Sequence, residues 1–468
     1  MFALCVLILV TSSDLHAVKV QITKQWTLLT YNLPAEFPAD NLEFNNPQNV
    51  VATGFAISGD RLFLATPRLF SGVPATLSSV HLKTAYPNWD YHRAGRKSFN
   101  CSEIGLVSVY RIRIDSCKRL WVLDAGVSRS FEDAEVTCQP KILVFDLKTN
   151  QVVRRIDFPG EVVKGDTLFT NMIIDETTSR PENNCDDVFV YITDTIKPAI
   201  VVYDSSHDLT WRSTHPSMYP DPNFSKPNIL GHRFTLMDGI VGLAFDARTK
   251  VVYFQPLATD RLFSIETSAL RAGPSPFGSD LPVKLVGKKS SQGIGLAVSP
   301  IDGSIFFSPM SETAVAKWNP TTNNQSVLAY DTELFQFVAD IRISSDPSSI
   351  YVLSSKFHRF FLRNLKPTEI NTRIVRIEDN VMLATSKIES TVKPRHSTVS
   401  VNVIKKRVQN PFPSFINANK GPIAMAYQQK KAPMYKFASN EDYLNVRLGD
   451  LNGLRITNMV SYNITTFH

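Results

Sequence analysis

Polar and aromatic side chains recur where short apolar runs end: Thr66, Asp124, Asp194, Gln255, Ser308 and Ser354–Ser355. Phe357 and His358 follow the last of these, and Asp340 opens the run before it. These residue types suit one kind of chemistry. A carboxylate held away from water pairs with an amine or removes a proton, a hydroxyl or amide orients a ligand, and a phenyl face stacks on a planar ring. If protons are transferred, Asp194 and His358 are the candidate catalytic groups. A single Asp or Ser at a strand end usually only bonds the amides of the next turn. A ring of them around one opening describes a small-molecule site, here Thr66, Asp124, Asp194, Gln255, Ser308, Asp340, Ser355 and Phe357. The sequence holds no GxSxG, HExxH, Walker or GxGxxG motif, and its nine histidines are scattered. No metal and no cofactor are therefore expected.

Side chains so far apart in sequence converge only if the runs that carry them are equivalent parts of a repeat. Each run has a partner before it, as in FAISGDRLFLATPR (55–68), VYRIRIDSCKRLWVLDAG (109–126) and NMIIDETTSRPENNCDDVFVYITDT (171–195). GLAFDARTKVVYFQPLA (242–258), GLAVSPIDGSIFFSPMS (295–311) and IRISSDPSSIYVLSSKF (341–357) complete six copies, at intervals of roughly 45–70 residues. A strand pair cannot bury its apolar faces alone, so the copies must stack around an axis. The second copy reads as four strands, VSVYRIRID, RLWVLDAG, KILVFDL and VVRRIDF, and the third as TNMIID, DVFVYITD, AIVVYD and DLTWRST. This pattern predicts an all-β, six-bladed β-propeller over residues 18–380. The unpartnered segment QWTLLTY (25–31) is expected to supply the outer strand of blade six, closing the ring and removing exposed edges. The second strands all run the same way, so their polar ends meet on one face near the axis.

The first 17 residues, MFALCVLILVTSSDLHA, read as a secretory signal peptide, though without the usual Lys or Arg before the apolar stretch. Beyond it no stretch reaches the roughly 20 apolar residues of a membrane span, so a secreted, extracellular protein with no transmembrane segment is expected. Removing Cys5 leaves Cys101, Cys117, Cys138 and Cys185, an even number that suits an oxidising compartment. Propeller topology chooses among the three pairings. Cys117 and Cys185 fall in first-to-second-strand turns of neighbouring blades, and Cys101 and Cys138 at the opposite end of one blade. The bridges Cys101–Cys138 and Cys117–Cys185 are thus expected. Sequons at Asn100, Asn223, Asn324 and Asn463 fit a glycoprotein. The net charge of +7 is uneven: residues 380–468 hold 12 Lys and Arg against 4 Asp and Glu. Residues 381–468 read as a basic, partly disordered tail, able to meet an acidic extracellular matrix or cuticle through 405–407 and Lys430–Lys431. Without interleaved aromatic platforms, nucleic acid is not an expected partner.

CKRLWVLDAG, DVFVYITDTIKPAIVVYD, the element Trp211–Arg212 with His215–Pro216, and MDGIVGLAFD resemble the yellow / major royal jelly protein family of insects. GLAVSPIDGSIFFSP and FVADIRISSDPSSIYVLS extend the likeness over roughly residues 25–380. The resemblance implies a secreted six-bladed propeller with disulfides at these cysteines. It also implies a role in cuticle pigmentation and the melanin pathway, where some members convert dopachrome, or binding of biogenic amines, as in salivary members. In the amine binders an Asn and a Phe follow the second strand of blade six and a Thr begins its inner strand. Here Phe357 matches, while Ser355 stands for the Asn and Ala339 for the Thr. The expected function is that of a yellow-type pigmentation protein binding a catechol or indole metabolite, with dopachrome conversion as the enzymatic reading. The alternative is an amine scavenger without catalysis. Last comes a lactonase-like hydrolase, whose calcium would have to use Asn171 and Asp340.

Overall fold

A computed structural model describes residues 18–95, 100–101, 104–179, 185–274 and 280–378. The expected signal peptide, the expected basic tail at 381–468 and the sequon at Asn463 lie outside the described residues. Six four-stranded antiparallel sheets form a six-bladed β-propeller. The inner strands are Gly54–Ser58, Val109–Ile114, Phe169–Asp175, Ile240–Asp246, Leu296–Val298 and Phe337–Ile343. Each packs on the next, and the sixth returns to the first.

The alternation of the sequence explains where each strand sits. VYRIRI, the inner strand of blade two, is buried along almost its whole length because neighbours cover both of its faces. The outer strand of the same blade, Val152–Asp157, alternates and fully buries only Ile156. Between consecutive blades lie separate apolar seams. Trp121, Leu123, Phe169 and Met172 join blades two and three, and Ile200, Val202, Leu243 and Phe254 join three and four. A further cluster, with Phe55, Leu64, Leu353, Phe357 and Phe360, joins blade six to blade one and continues over the mouth of the axis.

The N-terminal strand closes blade six, but it lies earlier than the sequence suggests. Lys19–Trp26, not 25–31, pairs antiparallel with Thr372–Glu378. The strand is exposed along nearly its full length. Its sequence, KVQITKQW, therefore carries the polar alternation of an edge strand, whereas LLTY is apolar because Leu29 joins the core and Tyr31 packs against it. Both expected disulfides form. Cys101–Cys138 ties the loop before blade two to the start of its third strand, and Cys117–Cys185 links blades two and three at the other end. No described helix is long and apolar enough to cross a membrane.

Candidate functional site

At the face where the inner strands begin, a cavity of about 70 Å³ opens on the axis. That is below the roughly 300 Å³ of typical drug-sized sites, so a planar ligand would enter it only in part. One wall is aromatic. Phe357 begins the short helix Phe357–Phe361 and stacks on Phe337 at 4.6 Å, while Phe131 meets it edge-on at 6.1 Å. Tyr110 adds a phenol that bonds Ser130 Oγ (2.8 Å), and burial pushes its proton loss far above the ordinary range. Thr53, Arg111, Thr170 and Ala339 also line the cavity.

The carboxyl of Asp238 is the exception on this wall. It directly precedes Gly239 and the inner strand of blade four. Its main-chain carbonyl accepts from Ala258 (3.2 Å), yet no hydrogen bond or ion pair reaches its carboxylate among the described residues. Burial pushes its pKa up from 3.8 to about 6. Gly239 makes the placement possible: a Cβ there would lie 2.7 Å from both Thr195 O and Pro198 Cγ. Asp238 stands inside the motif MDGIVGLAFD, ahead of a first strand, whereas the sequence signal weighed above was at the ends of second strands. Tyr110, Arg111 and Phe337 likewise lie at the starts of first strands, whereas Phe131 reaches the cavity from the loop after the second strand of blade two.

Of the expected ring, Phe357 alone lines the cavity. Of the others, Asp340 lies deeper on the axis and the second-strand residues turn to neighbouring loops and strands. Asp124 accepts from Lys141 Nζ (2.8 Å) and from the amides of Val107, Ser108 and Gly126. Burial works to raise its pKa, but Lys141 and these amides hold it below the usual carboxylate range. Asp194, expected to be catalytic, is fully buried; it accepts from Arg212 Nη1 (2.9 Å) and the amides of Leu168 and Lys197. The Trp211–Arg212 element thus serves to fasten Asp194. Thr66 donates to Ala75 O, Ser308 donates to Ala314 O, and Gln255 bridges Gly293 O and Lys289 Nζ. Ser355 Oγ is buried without a partner. His358 is fully buried against His232, ring centres 5.3 Å apart, and burial followed by His232 holds its pKa down at about 3. His358 does not line the cavity, and both of its ring nitrogens are buried without a hydrogen-bond partner among the described residues. For Thr66, Asp124, Asp194, Gln255 and Ser308 the physical reason is the same: a second-strand end in a tightly wound blade is closer to the adjoining loop than to the axis.

Deeper on the axis, Asp340 Oδ2 is shared by Arg342 (3.0 Å), Arg111 (3.2 Å) and Arg113 (3.5 Å). Asn171 Oδ1 accepts from Arg113 Nη2 (2.7 Å). A calcium ion at these oxygens would face three guanidinium groups, so the residues do not fit the lactonase-type metal. No cluster of three or more His, Cys, Asp or Glu suited to a metal occurs among the described residues. The sequon residues Asn100, Asn223 and Asn324 are exposed.

A family model described as major royal jelly protein matches residues 107–388. The chain is similar to a dopaminechrome tautomerase of Drosophila melanogaster, 27% identical over 81% of each chain. It is also similar to protein yellow of Drosophila melanogaster, 28% identical over 79% of this chain and 71% of that one. Major royal jelly protein 9 of Apis mellifera is 27% identical over 81% of this chain and 92% of that one.

Proposed function

Since the chain belongs to the major royal jelly protein family, we propose that it is a secreted, yellow-type protein that binds an aminochrome in the funnel and converts it to a dihydroxyindole. The observation that carries this reading is the unpaired Asp238 carboxylate beside an aromatic wall. Turning an aminochrome into a dihydroxyindole is an isomerisation with no net oxidation. Protons leave two carbons of the five-membered ring, the electron pairs move into the quinone, and both oxygens end as hydroxyls. Asp238 is the base for the carbon-bound protons, since a carboxylate with a pKa near 6 is ionised at neutral pH yet basic enough to work. Phe357, with Phe337 stacked against it, gives the planar ligand an aromatic wall, and Arg111 stabilises the catecholate charge that develops. The relative named for dopaminechrome tautomerisation supports this class of substrate. The two disulfides support an oxidising, extracellular setting.

The same carboxylate would pair with the ammonium of a biogenic amine, which keeps the scavenger reading in play. Ala339 lines the cavity with no hydroxyl to offer, and Ser355 is not among its lining residues. Stoichiometry separates the two. Purified protein mixed with excess dopaminechrome or dopachrome should discharge the colour well beyond one equivalent. Loss that stops at one equivalent would leave a binding protein.

A further inference from the structure

The arginine cluster below the cavity carries more positive charge than its surroundings neutralise. Arg111, Arg113 and Arg342 face a single carboxylate, Asp340, and none has another acidic partner among the described residues. The side chains of Arg111, Arg113 and Asp340 are each at most 9% exposed, and that of Arg342 is 23% exposed. Carbonyls of Thr53, Ala339 and Ile112 take several of the N–H groups. The Nε atoms of Arg111 and Arg113, however, are buried with no acceptor. A buried donor without a partner is costly, and a buried charge without a counter-charge more so. Burial, and secondarily Arg111, lowers the pKa of Arg113 to about 9, which still leaves it charged at neutral pH.

We propose that the axis of this propeller holds a small monovalent anion, a halide, bound by the unpaired Nε–H groups of Arg111 and Arg113 beside Asp340. Three cations and one carboxylate leave an excess of two. A monoanion reduces that excess without the bulk of a phosphate or sulfate. The ion would brace the inner strands of blades two and six, so it acts on stability first. Arg111 also lines the cavity, which allows a second source for the same negative charge: the carboxylate of a carboxylated ligand.

The test uses the whole secreted protein, dialysed into sodium gluconate and titrated with chloride or bromide at constant ionic strength. The expected result is a saturable rise of roughly 2–5 °C in the unfolding midpoint. It should be abolished in Arg113→Gln and reduced in Arg342→Gln, the less buried site. Should Arg113→Gln fail to fold, crystals of the unaltered protein soaked in bromide should show an anomalous peak between Arg111 and Arg113. A midpoint that does not distinguish chloride from gluconate, together with no bromide peak, overturns the proposal. So does a midpoint raised by carboxylated dopachrome but by neither chloride nor dopaminechrome, because the acceptor then serves the ligand's own carboxylate. None of these readouts depends on catalysis, so the anion site can fail while the aminochrome reading stands.

Discussion

Asp238 illustrates how a local environment makes a side chain useful at a cost. Its pKa in the folded state lies above the usual 3.8, so folding favours the protonated form. The group costs nothing well below pH 4, and stability is lost as the pH rises through about 6. Asp238→Asn should therefore match the unaltered protein near pH 2.5, below both pKa values, and gain about 1–2 kcal/mol above pH 7, a figure reduced for partial solvent access. Chemical denaturation at the two pH values checks this, and equal gains at both would contradict it. The rate should show the opposite trend, rising with pH through about 6 as the carboxylate ionises and then levelling off. Phe357→Leu preserves apolar burial but removes the ring face. It should weaken ligand binding several-fold while leaving the protein folded, as titration and circular dichroism would show. Phe357 was legible in the sequence because its position matches a family motif. Asp238 was not, because only the fold reveals that its neighbours leave it without a partner.

At the scale of elements, the loops between blades decide which residues reach the axis. Gly239 lets the entry to blade four lie directly on blade three. Gly239→Ala should force Pro198 or the backbone at Thr195 to move, costing about 1–3 kcal/mol and displacing Asp238. Denaturant unfolding and aminochrome turnover should both fall; a loss of neither would mean that the seam is looser than described. The Cys117–Cys185 bridge closes a separation of 68 residues between blades two and three. Replacing both cysteines by Ser should cost about 4 kcal/mol in the chain-entropy view, read from the shift in the unfolding midpoint. The pairing was legible because each cysteine's place in the strand order assigns it to one end of the barrel. The orientation of side chains at second-strand ends was not, since a period of two says which face a residue takes and not how the following loop folds back on it.

Across the whole molecule, the ring depends on one non-local strand. Lys19–Trp26 joins the first and last described strands in blade six, and it covers an edge that would otherwise be open. A chain lacking residues 18–26 should unfold less cooperatively and aggregate, which light scattering on heating would detect. Six repeated strand pairs made the architecture readable from the sequence, as did the need to close it. The strand lay a few residues earlier than expected because an exposed edge strand carries little apolar signal. The repeat also concealed the site: a propeller's residues look equivalent in sequence, while the cavity draws on loops that differ from blade to blade. The most direct measurement is aminochrome turnover by the unaltered protein and by Asp238→Asn at neutral pH. Many turnovers by the former, with a loss of roughly 100-fold or more in the latter while ligand binding persists, is the predicted result. Equal rates in the two proteins would contradict the account.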